Sequence, residues 1–306
     1  MPAIVVKNLA KKYPNAIAVA GLNFQVEKGE IFGLVGPDGA GKTTTIRMLV
    51  GVLTPTSGTA EVVGLDVVKQ AEELKKRIGY MSQKFSLYGE LTVQENLDFF
   101  SDIYLVSGEE KKKRQGRLLQ FSNLAPFRDR QARHLSGGMK QKLGLSCALI
   151  HTPEVLFLDE PTTGVDPVSR RELWEIIYEL LEGNVTVFVS TPYMDEAERC
   201  SRIAFIHKGK ILALDDPKKL KSLTDREVFE VKIANPRLQR QALEKLPGLV
   251  ELEIFGDMLH LSFPIKYTND EELLRRAFES GAKLESVRKI TPSLEDLFIS
   301  LVKREN

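Results

Sequence analysis

Eight consecutive residues make the first chemical statement of this chain. Gly36-Pro37-Asp38-Gly39-Ala40-Gly41-Lys42-Thr43 fits the spacing G-x-x-x-x-G-K-[ST] at every fixed position. Small residues let backbone N–H groups curl around phosphate oxygens. A helix opening here at Thr44 adds the positive end of its dipole. Lys42 suits the bridge between β- and γ-phosphates, and the Thr43 hydroxyl suits a Mg²⁺ ligand. A second pair, Asp159-Glu160, closes the apolar run Val155-Leu156-Phe157-Leu158. Two carboxylates at the end of a buried strand are costly unless a cation waits there. Asp159 then accepts a Mg²⁺-bound water and Glu160 polarises the attacking water, which predicts hydrolysis of a nucleoside triphosphate. Alone, either string has a plain reading, as a glycine-rich turn or an acidic surface turn. Together they point to one site.

Those residues need a scaffold, and the pattern around them supplies one. Short apolar strands alternate with amphipathic helical stretches over the first ~220 residues, which predicts an α/β architecture. Ile31–Val35, Val155–Leu158 and Val185–Val189 read as strands of a sheet covered on both faces. The first runs straight into the glycine-rich string, and Thr44–Val50 reads as the helix after it. Between about residues 84 and 150 strand patterns vanish. Helices open there at Leu91-Thr92 and at Ser136-Gly137-Gly138, as an inserted helical subdomain. Asp215-Asp216-Pro217 begins a short helix, and Ser222–Glu227 reads as a linker. Strands then fit Val228–Ile233, Leu249–Ile254, Met258–Phe263 and Leu284–Ile290. Helices fit Arg237–Leu246, Asn269–Ser280 and Ser293–Val302. The order βαββαβ, with one further helix, predicts a small ferredoxin-like α+β domain. The expected division is 1–222 for a P-loop NTPase sheet core and 223–306 for the smaller domain.

The chain has 306 residues, of which 42% are apolar and 28% charged, as in ordinary globular proteins. A net charge of +1 argues against a nucleic-acid binder that relies on a strong overall field. Cys147 and Cys200 are far apart and in no metal-like spacing, which predicts two free cytosolic thiols. The run Lys111-Lys112-Lys113-Arg114 reads as a solvated helix face. The N-terminus lacks a signal-peptide layout, and no stretch approaches the ~18 apolar residues of a membrane span. Transport across a membrane would need a channel supplied by another chain.

Leu135-Ser136-Gly137-Gly138-Met139 resembles the signature sequence of ABC (ATP-binding cassette) ATPases, with Met139 in place of the usual glutamine. Its physics is readable, since Ser136 can sit at a helix N-terminus with two glycines exposing N–H groups to an anion. Further family elements fall in order over residues ~3–220. Tyr13 matches the aromatic that stacks on adenine. Gln83, in Tyr80-Met81-Ser82-Gln83, matches the glutamine that touches Mg²⁺, takes part in catalysis and senses the membrane partner. Gly164-Val165-Asp166-Pro167 matches the loop through which two nucleotide domains meet. The resemblance implies head-to-tail pairing with a second nucleotide-binding domain, in a homodimer or with a paralogous subunit. Each ATP then lies between the Gly36–Thr44 cradle of one subunit and Ser136-Gly137-Gly138, with Asp166 nearby, of the other.

The C-terminal ~80 residues resemble an accessory domain of exporter-type ABC ATPases, through Thr291-Pro292-Ser293-Leu294-Glu295-Asp296-Leu297-Phe298. The implied protein is an ATP-hydrolysing subunit that powers a membrane exporter. It would lie peripherally on the cytoplasmic face of the cell membrane and work with transmembrane permease subunits on separate chains. Soluble ABC proteins of ribosomes or DNA form a rival class. They usually join two nucleotide domains or insert long coiled coils, and this chain shows neither pattern. One departure favours a third class, a regulatory ATP binder that does not hydrolyse. In Ser190-Thr191-Pro192-Tyr193-Met194-Asp195-Glu196-Ala197-Glu198, Pro192 occupies the place of the family's switch histidine. Proline offers neither an N–H nor a polar side chain. Locally the sequence predicts that Thr191 caps a helix whose first turn holds Pro192.

Overall fold

The computed structural model describes residues 2–84, 86–222, 226–234, 236–255, 258–266, 269–282 and 284–305. The strands β1 (Ile4–Tyr13) and β2 (Ala16–Val26) form a hairpin, and β3 (Ile31–Val35) follows. Helix α1 (Lys42–Leu49) rises beyond β3. The strands β4 (Ser57–Val62) and β5 (Leu65–Asp66) complete an antiparallel sheet in the order β2-β1-β4-β5. The sequence reading contains no such sheet. Register shifts after Val6, Leu9 and Lys11 explain why, since they break the two-residue alternation that marks a strand.

Helix α2 (Ala71–Lys75) and β6 (Ile78–Met81) precede the helical insertion, formed by α3 (Val93–Ile103), α4 (Gly108–Phe121) and α5 (Gly137–Leu149). The chain continues through β7 (Val155–Asp159), α6 (Pro167–Glu182), β8 (Thr186–Thr191), α7 (Met194–Ala197), β9 (Arg202–His207) and β10 (Lys210–Asp215). The larger sheet runs β10-β9-β3-β8-β7-β6, all parallel except β10. Every residue of β3, β7 and β8 is buried, as their continuous apolar runs predict. On one face Phe32, Phe157 and Phe188 join Ile46 and Met48 of α1 in a common core with the antiparallel sheet. Phe24, Phe32, Phe188 and Phe157 follow one another with ring centroids 5.4, 5.5 and 5.5 Å apart. Such pairs add about 0.5–1.5 kcal/mol each beyond their buried area. Helices α6 and α7 pack against β8.

The insertion has its own core of Val93, Leu97, Leu119, Leu124, Leu143 and Cys147. Thr92 and Glu95 form a capping box that starts α3 where the sequence predicts. The basic run on α4 is solvated only in part. Lys112 and Lys113 are exposed, whereas Lys111 bonds Asp102 at 2.7 Å and Arg114 reaches the Ile150 carbonyl at 3.1 Å. Both cysteines are free and buried, and burial raises both thiol pKa values, so neither is primed to react.

The chain divides into two compact units, Met1–Asp216 and Pro217–Asn306. The second starts with α8 (Pro217–Ser222), which packs on the last helix, α11 (Leu294–Glu305). Of the expected linker, residues 223–225 lie outside the described residues. The remaining elements are β11 (Arg226–Ile233), α9 (Pro236–Leu243), β12 (Glu251–Phe255), β13 (Met258–Pro264), α10 (Asp270–Glu279) and β14 (Leu284–Ile290). Their antiparallel order β12-β13-β11-β14 is the ferredoxin-like arrangement that the βαββαβ pattern predicts. Among the described residues, no helix is long and apolar enough to cross a membrane.

Candidate functional site

The glycine-rich string leaves the C-terminal end of β3, where open α/β sheets bind ligands. Close neighbours dictate two of its glycines, Gly36 and Gly41. A Cβ on Gly36 would lie 2.1 Å from the Ile206 carbonyl oxygen of β9. Gly41 has φ 108°, and a Cβ there would meet the Ala18 carbonyl oxygen at 2.4 Å. Gly41 precedes α1 without a side-chain cap. Pro37, Asp38 and Gly39 are exposed, while Ala40 is buried and Thr44 half-buried. Lys42 turns back under the loop, only 3% exposed. Its ammonium donates to the carbonyls of Gly36 at 2.8 Å and Pro37 at 3.0 Å, and stands 3.1 Å from Glu160 Oε1.

The two carboxylates arrive from β7. Asp159 Oδ1 accepts from Thr43 Oγ1 at 3.1 Å and from Ser190 Oγ at 2.7 Å. Its second oxygen, Oδ2, is buried without a partner. Burial pushes the Asp159 pKa up, against the lowering effect of the Ser190 and Thr43 hydrogen bonds. A buried carboxylate oxygen beside a hydroxyl is suited to a cation. Glu160 has a left-handed backbone, φ 50°, held by its N–H donating to the Ser190 carbonyl and hydroxyl, both at 3.1 Å. Its Oε2 accepts from Gln83 Nε2 at 2.8 Å and Thr163 Oγ1 at 3.3 Å. Lys42, Thr43, Gln83, Asp159 and Glu160 thus form one cluster. Within it Gln83 bonds Glu160 rather than the Thr43–Asp159 pair. Ser190 and Thr163, to which the sequence assigns no site role, complete the cluster. A polar Ser190-Thr191 pair ending the apolar run of β8 is the available signal for Ser190, because β8 lies between β3 and β7. A cavity of about 890 Å³ lies instead beside Pro153, Glu154 and Thr186, at the opposite ends of β7 and β8. It contains none of these residues.

A second group gathers at the N-termini of α5 and α6. Ser136 caps α5, its hydroxyl accepting from Met139 N at 3.3 Å. Gly137 is exposed. Gly138 has a packing reason that the sequence hides, since a Cβ there would lie 2.4 Å from the Ser169 side chain. Asp166 caps α6 through Oδ1, accepting from Val168 N at 3.1 Å and Ser169 N at 2.9 Å. Those bonds, Ser169 foremost, lower its pKa. Among the described residues, no hydrogen bond or ion pair joins this group to Lys42, Thr43, Asp159 or Glu160. Tyr13 ends β1 as an exposed residue, and the partner strand β2 passes the cradle at Ala18.

The local expectation for Pro192 is corrected. Pro192 lies in the bend between β8 and α7, and Tyr193 is the N-cap residue, with no side-chain cap. Thr191 does not cap the helix because its hydroxyl is engaged elsewhere, donating to Glu196 Oε2 at 2.6 Å and accepting from Tyr193 N at 3.1 Å.

Residues 19–163 match the ABC transporter family, and residues 216–302 match the C-terminal domain of DrrA1-3-like ATP-binding proteins. The chain is 43% identical over 304 residues to the probable multidrug ABC transporter ATP-binding protein YbhF of Escherichia coli, covering 98% of this chain. It spans only 52% of YbhF, about half that relative's length. It is 35% identical to the daunorubicin resistance ATP-binding protein DrrA2 of Streptomyces coeruleorubidus, covering 98% of this chain and 94% of that one. The ATP-binding cassette MJ0796, solved as a dimer in a post-hydrolysis state with ADP and Pi, superimposes with a TM-score of 0.65 at 26% identity. That match covers 70% of this chain and 98% of the cassette. With both sequence regions, the cradle and the paired carboxylates in agreement, the chain belongs to the ATP-binding proteins of ABC transporters.

Proposed function

We propose that the chain binds Mg²⁺-ATP in the Gly36–Thr43 cradle and hydrolyses it as the energy-coupling subunit of a membrane exporter. One observation carries this reading: Asp159 Oδ2 is buried without a partner, on a carboxylate that also accepts from Thr43. Mg²⁺ is usually held by one or two carboxylates plus phosphate oxygens, and Asp159, Thr43 and the adjoining Gln83 fit that donor set. When bound, Mg²⁺ supplies neutralisation of phosphate charge. Lys42 brings a desolvated positive charge to the same oxygens. Glu160 orients the attacking water and accepts its proton, and Gln83 and Thr163 hold its Oε2. Tyr13 offers a ring face to the base.

Ser136, Gly137, Gly138 and Asp166 form the surface offered to a second nucleotide-binding domain, in a head-to-tail pair. The dimeric state of the similar cassette supports that pairing. Pro192 supplies no hydrogen bond where an imidazole would. If such a bond to a charged group acts in the transition state, its loss slows hydrolysis roughly 10–150-fold. The drug-related names of YbhF and DrrA2 support an exporter. Permease subunits on separate chains would then hold the pair against the inner face of the cell membrane. Nucleic acid has no part in this function. The first unit, Met1–Asp216, carries the ATP chemistry, and the second, Pro217–Asn306, serves as an accessory domain.

Steady-state ATP turnover of the purified full chain with Mg²⁺ tests the hydrolytic role. Turnover that needs Mg²⁺ and is lost in Glu160→Gln is the expected result. Binding without any turnover would instead leave the non-hydrolysing regulator, which Pro192 alone favours.

A further inference from the structure

Behind the cluster stands a carboxylate that the mechanism above does not use. Glu196, on α7, is fully buried, at 0% exposure. Its Oε1 accepts from the Thr162 hydroxyl and lies 3.7 Å from Arg170 Nε, while its Oε2 accepts from the Thr191 hydroxyl at 2.6 Å. Both threonines lead directly to the reacting groups. Thr162 precedes Thr163, whose hydroxyl bonds Glu160 Oε2 at 3.3 Å. The Thr191 carbonyl accepts from Gly36 N at 3.2 Å, at the first residue of the cradle. The Thr191 hydroxyl also receives Tyr193 N, so the Pro192 bend is pinned on both sides. The Tyr193 ring in turn lies 4.6 Å from the Arg170 guanidinium.

A buried carboxylate of this kind is costly, and it is held by two hydroxyl donors, from the loop after β7 and from β8, with the Arg170 cation of α6 nearby. From this geometry we infer that Glu196 is a positioning residue for ATP hydrolysis. It ties the loop after β7 to the end of β8, and so fixes Glu160 relative to the cradle where position 192 provides no polar contact. The inference rests on the proposed hydrolysis. It assigns Glu196 no contact with nucleotide or water.

A positioning role affects the chemical step more than ground-state binding. In Glu196→Gln the shape is retained, but a hydroxyl donor faces an amide N–H. The expected result is a kcat roughly 10–100-fold below the unaltered chain, with KM for Mg²⁺-ATP within about twofold. Thr162→Val removes one donor, keeps the side-chain volume and leaves Glu196 in place. It should lower kcat in the same direction by a smaller factor, and it decides the matter if Glu196→Gln does not fold. Turnover equal to the unaltered chain in whichever variants fold overturns the inference, as does a rise in KM with kcat unchanged. If the unaltered chain itself shows no turnover, proposed hydrolysis and positioning role fail together. An active chain indifferent to these changes sinks the positioning role alone.

Discussion

The two sheets with parallel and ferredoxin-like order place their polar groups in opposite ways. In the six-stranded sheet, β3, β7 and β8 are buried throughout, and the polar side chains of the site collect at strand ends: Asp159, Ser190 and Thr191. In the C-terminal sheet, one face is apolar, with Phe229, Val231, Leu259 and Leu261, and the other is lined with charge. There Lys303 of α11 bonds Glu251 and Glu253, and Asp296 bonds His260 at 2.9 Å. A sheet covered on both faces can expose chemistry only at its ends, whereas a one-sided sheet can hold a helix across a polar face. Reactive groups are therefore expected in the first unit and electrostatic docking of a helix in the second.

The largest effect is expected at the strand ends. Glu160→Gln keeps the site's shape while removing the water-orienting carboxylate, and should lower turnover by on the order of a hundredfold or more. With saturating Mg²⁺-ATP the variant should accumulate as a closed dimer in light scattering. Only monomer under those conditions would count against pairing of identical subunits. A smaller change, in the opposite direction, is expected from Pro192→His. Turnover should rise roughly tenfold with little change in ATP affinity, because an imidazole there would act mainly in the transition state. A variant no faster than the native chain, with or without a membrane partner, would show that Pro192 is not the limiting defect.

How much of this is legible without coordinates differs between the same two regions. The cradle is, because a loop of backbone N–H groups needs glycine and lysine at fixed spacing, and the neighbours of Gly36 and Gly41 leave no room for a Cβ. The βαββαβ order is too, since strands such as Met258–Pro264 alternate cleanly. The hairpin of β1 and β2 is not, because its bulges scramble that alternation. Nor are Ser190 and Glu196, whose partners Asp159 and Thr162 sit about thirty or more positions away on other segments. Thr191 shows the limit well. Its sequence neighbours suggest a cap, but a buried glutamate five residues on takes its hydroxyl.

The C-terminal unit should respond to acid. Burial raises the Asp296 pKa, but hydrogen bonds from His260 and Ser293 outweigh it and hold the carboxyl below its ordinary value. A lowered folded-state pKa contributes stability above the unfolded value of about 3.9, and that contribution is lost as pH falls through the folded value. Melting of the native chain at pH 7 and pH 3 should show this loss, and Asp296→Asn should reduce the difference. An unchanged pH dependence in that variant would remove the pair from the docking of α11. The smallest effect is expected from a chain ending at Asp216, the end of the first unit, which should stay soluble and bind Mg²⁺-ATP with an affinity within about threefold of the full chain. Failure to fold would mean that the two units share one core.

Calorimetric titration of the full chain with Mg²⁺-ATP, beside Lys42→Ala, tests the cradle most directly. The Lys42 ammonium now lies against Gly36 O, Pro37 O and Glu160 Oε1. The native chain is expected to bind saturably, and the variant to lose most of that affinity while melting as a folded protein. Equal affinity in the two proteins would contradict the assignment of this loop as the phosphate site.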